Sequence, residues 1–200
     1  FIKEILGKKL KPKFIFVSNN FKFGNKREGN VGQLIKFERM FGYKVVKPKP
    51  LLINKKIASS SLVRKLLQKG RLDKANKILN RNWSIVGKVQ KGRQLGKKIG
   101  FPTANIDIKN YILACPGVYA VKVKRSDKKN YIKGIANLGY RPTFNGKKIL
   151  LEVHLFNFSG NLYNKYLTVE FKKFIRKEKK FKNVEQLRRQ IKTDLFIAKN

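Results

Sequence analysis

Two hundred residues hold one domain, or one and part of another, and 42% hydrophobic residues suffice to bury a core. Lys and Arg number 49 against 11 Asp and Glu, a formal charge of +38. One cysteine, Cys115, excludes an internal disulfide framework, one histidine, His154, excludes chemistry that needs two, and no apolar run approaches the ~18–20 residues of a membrane span.

The cysteine count and the lack of a signal-peptide pattern lead to the expectation of a cytoplasmic protein. Because the chain opens Phe1-Ile2-Lys3 with no Met, it is expected to be the remainder of something longer. The lysines are spread in pairs such as Lys8-Lys9, Lys97-Lys98 and Lys172-Lys173, with no basic tail. Charge dispersed in this way reads as a solvated surface, so neither a specific nucleic-acid partner nor a membrane partner is expected.

In chain order, the apolar run Lys13–Val17 predicts a strand covered on both faces. Polar sequence follows to Gly32, and Val31, Leu34 and Ile35 then begin a helical spacing. Tyr43–Val46 is a second strand. Ser59-Ser60-Ser61 precedes Leu62, Val63, Leu66 and Leu67, an N-cap before an apolar helical stripe. Gly70 ends that helix, and Leu72, Ala75, Ile78 and Leu79 supply another. Strand, helix, strand, helix predicts a parallel α/β sheet. Near Trp83 the pattern turns β-rich, with Trp83–Val89, Gly117–Lys124, Tyr131–Leu138, Ile149–Phe158 and Tyr166–Phe174 separated by Gly, Pro and Asn. Strands so spaced suggest an antiparallel barrel or sandwich. From Asn183 a closing helix places Val184, Leu187, Ile191 and Leu195 on one face. The boundary is placed at about Asn80–Asn82, giving domains 1–81 and 82–200.

Three groups of residues carry candidate chemistry. Glycines at 87, 92, 96 and 100, with Lys91 and Lys97 between them, let backbone N–H groups close on phosphates while lysines add charge. The spacing fits neither of the common phosphate-binding fingerprints, and a flexible hairpin loop is the alternative. Thr103 and Asn105, two apart after Pro102, share one side of an extended segment and offer hard oxygens of the kind Mg²⁺ accepts; a Thr/Asn turn is the alternative. Glu152 alternates with apolar Leu151 and Val153 and is a candidate general base, or else a sheet-surface acid satisfied by a lysine. His154 and Cys115 read as packing residues.

The segment Gly87–Asn105, ending Gly-Phe-Pro-Thr-Ala-Asn, closely resembles the riboflavin kinase family. So do Pro116-Gly-Val-Tyr-Ala-Val, Gly134–Phe144, Leu151-Glu-Val-His-Leu155 and Ile175-Arg176 followed by Lys180-Phe181. The first part, with Phe16–Gly24, Arg27-Glu-Gly29 and Ser59–Arg64, is similar to the latter half of an FMN adenylyltransferase domain, which precedes the kinase in bacterial FAD synthetases. The resemblance implies a Rossmann-like α/β nucleotidyltransferase remnant followed by a six-stranded antiparallel β-barrel with a carboxy-terminal helix. It implies ATP, riboflavin and FMN as substrates and product, with Mg²⁺ accompanying ATP. By resemblance Glu152 is the base; Gly87, Lys91, Gly92, Gly96, Lys97, Gly100, Pro102, Thr103 and Asn105 bind ATP, Thr103 and Asn105 holding the metal. Phe101 and Glu152 meet the flavin, and Asn20, Ser59, Ser60, Ser61 and Arg64 belong to the adenylyltransferase remnant. The chain departs from the family at Ser18 and Asn20, where Gly and Asp are usual. Lys91, Lys97, Asn157 and Asn161 likewise stand where His, Arg, Asp and Asp are frequent. It also lacks the paired histidines of the adenylyltransferase's first half. Two rivals are a non-catalytic basic module that binds RNA or another polyanion, which accounts for the charge but not for the linked motifs, and a degenerate kinase kept as a fold.

Overall fold

The computed structural model describes the chain apart from residues 54–55, 93, 109–110, 112–113 and 144–145, and for 56, 141–143 and 146–148 it describes backbone alone. Arg93 in the glycine segment and Phe144 in the motif that starts at Gly134 therefore lie outside the described residues. By packing the chain forms two compact units, Phe1–Ala58 and Ser59–Asn200.

In the first unit a helix of π type, Ile2–Leu10, precedes strand β1 (Phe14–Phe16) and a short hairpin of β2 (Lys22–Phe23) and β3 (Gly29–Asn30). Helices α1 (Val31–Lys36) and α2 (Glu38–Phe41) lead to β4 (Lys44–Val46), and a hairpin of β5 (Leu52–Ile53) and β6 (Lys56–Ile57) follows. Strands β1 and β4 pair in parallel, as the alternating pattern predicts. Asn30 and Gln33 cap α1 reciprocally, each side chain accepting the other's backbone N–H at 3.1 Å. Leu6, Val17, Val31 and Leu34 form the small core. The expected two-sided burial of the first strand is not found, since Phe14 and Phe16 are 58% and 68% exposed. Ile15 packs on the core, whereas Phe14 and Phe16 point to the other face, which is left largely exposed among the described residues.

The second unit opens with α3 (Ser60–Gln68) and α4 (Leu72–Leu79). Six strands then close a barrel in the order β10-β11-β8-β7-β12-β9, all neighbours antiparallel. They are β7 (Ser84–Gln90), β8 (Ala104–Asp107), β9 (Gly117–Arg125), β10 (Tyr131–Thr143), β11 (Gly146–Leu155) and β12 (Tyr166–Lys177). Alternate residues fill the interior: Ile85, Ile106, Leu138, Leu151, Leu167 and Phe171 are wholly buried. Phe171 meets Trp83 at 4.6 Å and Tyr119 edge-on at 5.1 Å between ring centroids. The Tyr119 hydroxyl donates to the Cys115 carbonyl, and burial, with Cys115 beside it, pushes this phenol well above its usual range. The sixth strand, β8, is four residues long, which is why the residue pattern yields five β segments and the resemblance six.

Packing divides the chain earlier than the pattern does. Leu67, Leu72 and Ala75 bury themselves in the same core as Trp83 and Ile85. Asn76 fastens α4 to the barrel, its amide N–H donating to Phe171 O at 3.0 Å and its oxygen accepting from Trp83 N–H at 2.7 Å. The change near Asn80–Asn82 marks a switch from helix to strand, whereas the compact unit begins at Ser59.

Helix α6 (Val184–Lys199), capped by Asn183, lies across the barrel with Leu187, Ile191 and Leu195 half-buried; Val184, expected on the same face, is 57% exposed. The residue that fastens the helix is Asp194, only 2% exposed. It accepts from Arg176 Nε at 2.9 Å and Nη2 at 2.7 Å and from Gln190 Nε2 at 2.9 Å. Removing one member of a buried ion pair leaves a desolvated charge, so Asp194→Ala is expected to cost about 3–5 kcal/mol and the double variant with Arg176→Ala less than the sum. Denaturant titration followed by the fluorescence of Trp83, the only tryptophan and part of this core, checks it.

Candidate active site

The barrel interior is filled, so polar side chains sit on its outer face. Strand register gathers them into one row running from strand to strand: Gln90, Asn105, Glu152, Asn137, Val118 and Arg176 are successive cross-strand neighbours. Directly opposed residues of an antiparallel pair share a face, so this row is continuous around the barrel wall. Glu152 points outward because Leu151 and Val153, at 0% and 1% exposure, take the inward positions.

The glycine segment closes over one end of the row. It contains a single helical turn, α5 (Leu95–Lys98), entered through Gln94 at φ 56°. A Cβ on Gly92 would lie 2.4 Å from Asn105 Nδ2, and one on Gly96 2.4 Å from Phe101 O and 3.3 Å from Thr103 Oγ1. Only glycine lets the loop pass this close to both candidate oxygen ligands. Gly100, at φ +88°, turns the chain back toward Phe101. His154 Nδ1–H donates to the Pro102 carbonyl at 2.8 Å, and its ring meets Phe101 edge-on at 6.0 Å. The only histidine thus holds the Phe-Pro-Thr turn, a role its strand position alone does not disclose. Arg188 of α6 donates to Ile99 O at 3.3 Å, tying helix to loop.

Two cavities meet at this row. The larger, about 650 Å³, lies under α6, with apolar walls from residues such as Phe101, Val118, Ile135, Leu187 and Ile191, and with Arg176 and Asp194 among its polar lining residues. The smaller, about 280 Å³, is bordered by Gln94, Thr103, Asn105, Tyr140 and Leu150. Leu95, Thr103, Asn137, Glu152 and Glu178 border both. A polar neck therefore joins an apolar chamber to a polar one. Among the described residues no Lys or Arg lines the smaller cavity, whereas Glu152 and Glu178 do. Thr103 Oγ and the Asn105 amide oxygen are hard neutral oxygens bordering it, a donor pair that fits a divalent cation accompanying phosphates.

Of the residues singled out from the sequence, Phe101, Gly96, Thr103, Asn105 and Glu152 come together around these cavities. Gly92 backs on Asn105. Gly87 instead packs on Ile106, where a Cβ would lie 2.4 Å from its Cγ2, so it serves strand packing. Lys91 and Lys97 are exposed on the loop and line neither cavity, while Lys98 lines the larger one. Ser59 caps α3, its Oγ accepting from Leu62 N–H at 3.2 Å; Ser60, Ser61 and Arg64 lie within α3. Asn20 is exposed in a turn of the first unit. Asn137, Glu178 and Lys98 escaped the sequence reading. Glu178 had a signal, being the lone acid among seven cations between 172 and 182.

Residues 79–200 match the riboflavin kinase family and residues 1–62 the FAD synthetase family. A bifunctional riboflavin kinase/FMN adenylyltransferase of Buchnera aphidicola subsp. Schizaphis graminum is 43% identical over 202 residues, covering 100% of this chain and 64% of that protein. The protein of the same description from Escherichia coli K12 is 36% identical over 199 residues, covering 100% of this chain and 63% of its own length. The chain thus spans somewhat under two thirds of these relatives. A crystal structure from Streptococcus pneumoniae, described as a macrolide-efflux protein, superposes with a TM-score of 0.79 at 28% identity, covering 94% of this chain and 60% of that one. Among the described residues no helix is long and apolar enough to cross a membrane. With more than half of its length matched by one family and the same barrel, loop and closing helix on the page, the chain belongs to the riboflavin kinase family.

Proposed function

We propose that this chain phosphorylates riboflavin, transferring the γ-phosphoryl group of ATP to the 5′-hydroxyl to give FMN and ADP. The observation that carries the reading is the pair of cavities joined at Glu152, one apolar and sized for a ring system, one polar and roofed by the glycine loop. In this reading the isoalloxazine lies between α6 and the barrel wall against Phe101, and the ribityl chain passes the neck. Its 5′-hydroxyl meets Glu152, which accepts the proton as the oxygen bonds to the γ-phosphorus and the bond to ADP breaks. Thr103 and Asn105 would hold Mg²⁺, which neutralises charge on the phosphates when bound. The backbone of the loop from Lys91 to Gly100 covers the phosphates, and Pro102, fixed through His154, sets the position of Thr103. Lys91 and Lys97, exposed on the same segment, are assigned to the nucleotide as charges and Gly100 as a turn. Phosphoryl transfer needs mainly position and charge neutralisation, which suits a site with one carboxylate base. Adenylyl transfer is assigned to the longer relatives, since His154 is committed to the Pro102 carbonyl and is the only histidine.

Glu152→Gln keeps the shape and loses the base, so FMN formation is expected to fall roughly 10²–10⁴-fold while ADP binding changes little. An unchanged rate would make Glu152 a surface acid. Thr103→Val and Asn105→Leu each remove one oxygen without altering charge; both are expected to raise the Mg²⁺ concentration needed for half-maximal rate and to weaken Mg²⁺-dependent ADP binding in calorimetry. Wild-type Mg²⁺ dependence in both would move the metal elsewhere. Incubated with FMN and Mg²⁺–ATP, this chain is expected to make no FAD above background by chromatography.

A further inference from the structure

Glu178 directly follows β12 and, like Glu152, borders both cavities. Its place is made by a missing side chain: a Cβ on Gly139 would lie 1.9 Å from Glu178 Oε1 and 2.7 Å from its Cδ. The carboxylate therefore rests against the β10 backbone where any residue but glycine would displace it. Three carboxylates border the larger cavity. Asp194 is bound to Arg176 and Gln190, and Glu152 is assigned as the base, which leaves Glu178 without a part in the reaction so far. It stands at the neck with Thr103 and Asn137, where the apolar chamber turns polar.

A ligand that crosses this neck with an apolar ring behind it must present hydroxyl donors there. An ionised carboxylate only accepts hydrogen bonds, and such charge-assisted bonds are the strong ones. A neutral polyol meets two carboxylates without the repulsion that a phosphate would feel. Resting on the riboflavin reading above, we propose that Glu178 is a positioning residue that accepts hydrogen bonds from the secondary hydroxyls of the ribityl chain and so aims the terminal hydroxyl at Glu152. Recognition then depends on the chain as well as on the ring.

The test compares riboflavin with lumiflavin, which has the same ring and a methyl group in place of the chain, by quenching of flavin fluorescence. Glu178→Ala removes the carboxylate, Gly139→Ala displaces it, and Glu178→Gln keeps an acceptor. Losing hydrogen bonds to a charged group is expected to weaken riboflavin roughly 10–100-fold in the two alanine variants and less in Glu178→Gln, with lumiflavin changed by under about two-fold. Affinity for ADP with Mg²⁺ is expected to stay as in the wild type. Equal losses for both flavins would show a merely structural role, and a loss confined to ADP would assign the carboxylate to the nucleotide; either overturns the proposal, as does no loss at all. Wild-type chain that binds neither flavin would overturn the riboflavin reading itself, and this assignment with it. Should Gly139→Ala fail to fold, as judged by Trp83 fluorescence, the Glu178 variants decide the matter.

Discussion

A six-stranded barrel is too narrow to hold a ligand, because its interior is consumed by its own side chains. Ile85, Ile106, Leu138, Leu151, Leu167 and Phe171 leave no room inside, so every binding group must stand on the outer wall. An outer wall alone is convex and wet. The chain makes it concave by laying α6 and the glycine loop over it, and the buried Arg176–Asp194 pair fixes α6 there. Because Arg176 belongs to the same cross-strand row as Glu152, the pair that holds the roof also fixes one end of the site. The larger cavity exists only with that helix in place, since Leu187, Ile191 and Asp194 of α6 form part of its wall.

Electrostatics follow from the same arrangement. The chain carries 49 basic and only 11 acidic residues, yet Glu152, Glu178 and Asp194 all border one cavity. On a surface so rich in lysine, a carboxylate is ordinarily a partner for a neighbouring ammonium. Glu152 comes from the row, Glu178 from the end of β12 and Asp194, paired with Arg176, from α6. The smaller cavity, bordered by Glu152 and Glu178, is lined by no cation among the described residues. In the proposed reading the wide positive field outside suits an anionic nucleotide, and the carboxylates within suit a neutral hydroxyl-bearing partner. The lysines thereby supply attraction and the few acids supply selection.

The parts of the structure legible from the sequence were those governed by short periods. Alternation put Glu152 on the face opposite Leu151 and Val153, which are buried, and Thr103 and Asn105, two apart in sequence, both border the smaller cavity. The β-rich pattern after Trp83 announced a barrel or sandwich, and resemblance supplied the strand count that the four-residue β8 hides. Partnerships set by tertiary closure were not legible. Nothing local pairs Arg176 with Asp194 eighteen residues on, seats Glu178 against Gly139, or binds His154 to a carbonyl fifty-two residues earlier. Helical spacing read Leu187, Ile191 and Leu195 as the face of α6 but could not show that a charged residue beside them is the most buried. The burial of α3 and α4 in the barrel core escaped for the same reason, because contact between distant segments leaves no mark on the pattern of either.

The central claim is geometric: ring in the larger cavity, chain through the neck, terminal hydroxyl at Glu152. A crystal structure of this chain with riboflavin, ADP and Mg²⁺ tests it most directly. The account predicts the isoalloxazine between α6 and the β9–β10 wall, with the 5′-oxygen within about 2.6–3.2 Å of a Glu152 carboxylate oxygen, the reach a general base requires. It also predicts the ADP phosphates under the glycine loop beside Thr103 and Asn105. A flavin bound elsewhere on the barrel, or bound here with its 5′-hydroxyl turned away from Glu152, would contradict it.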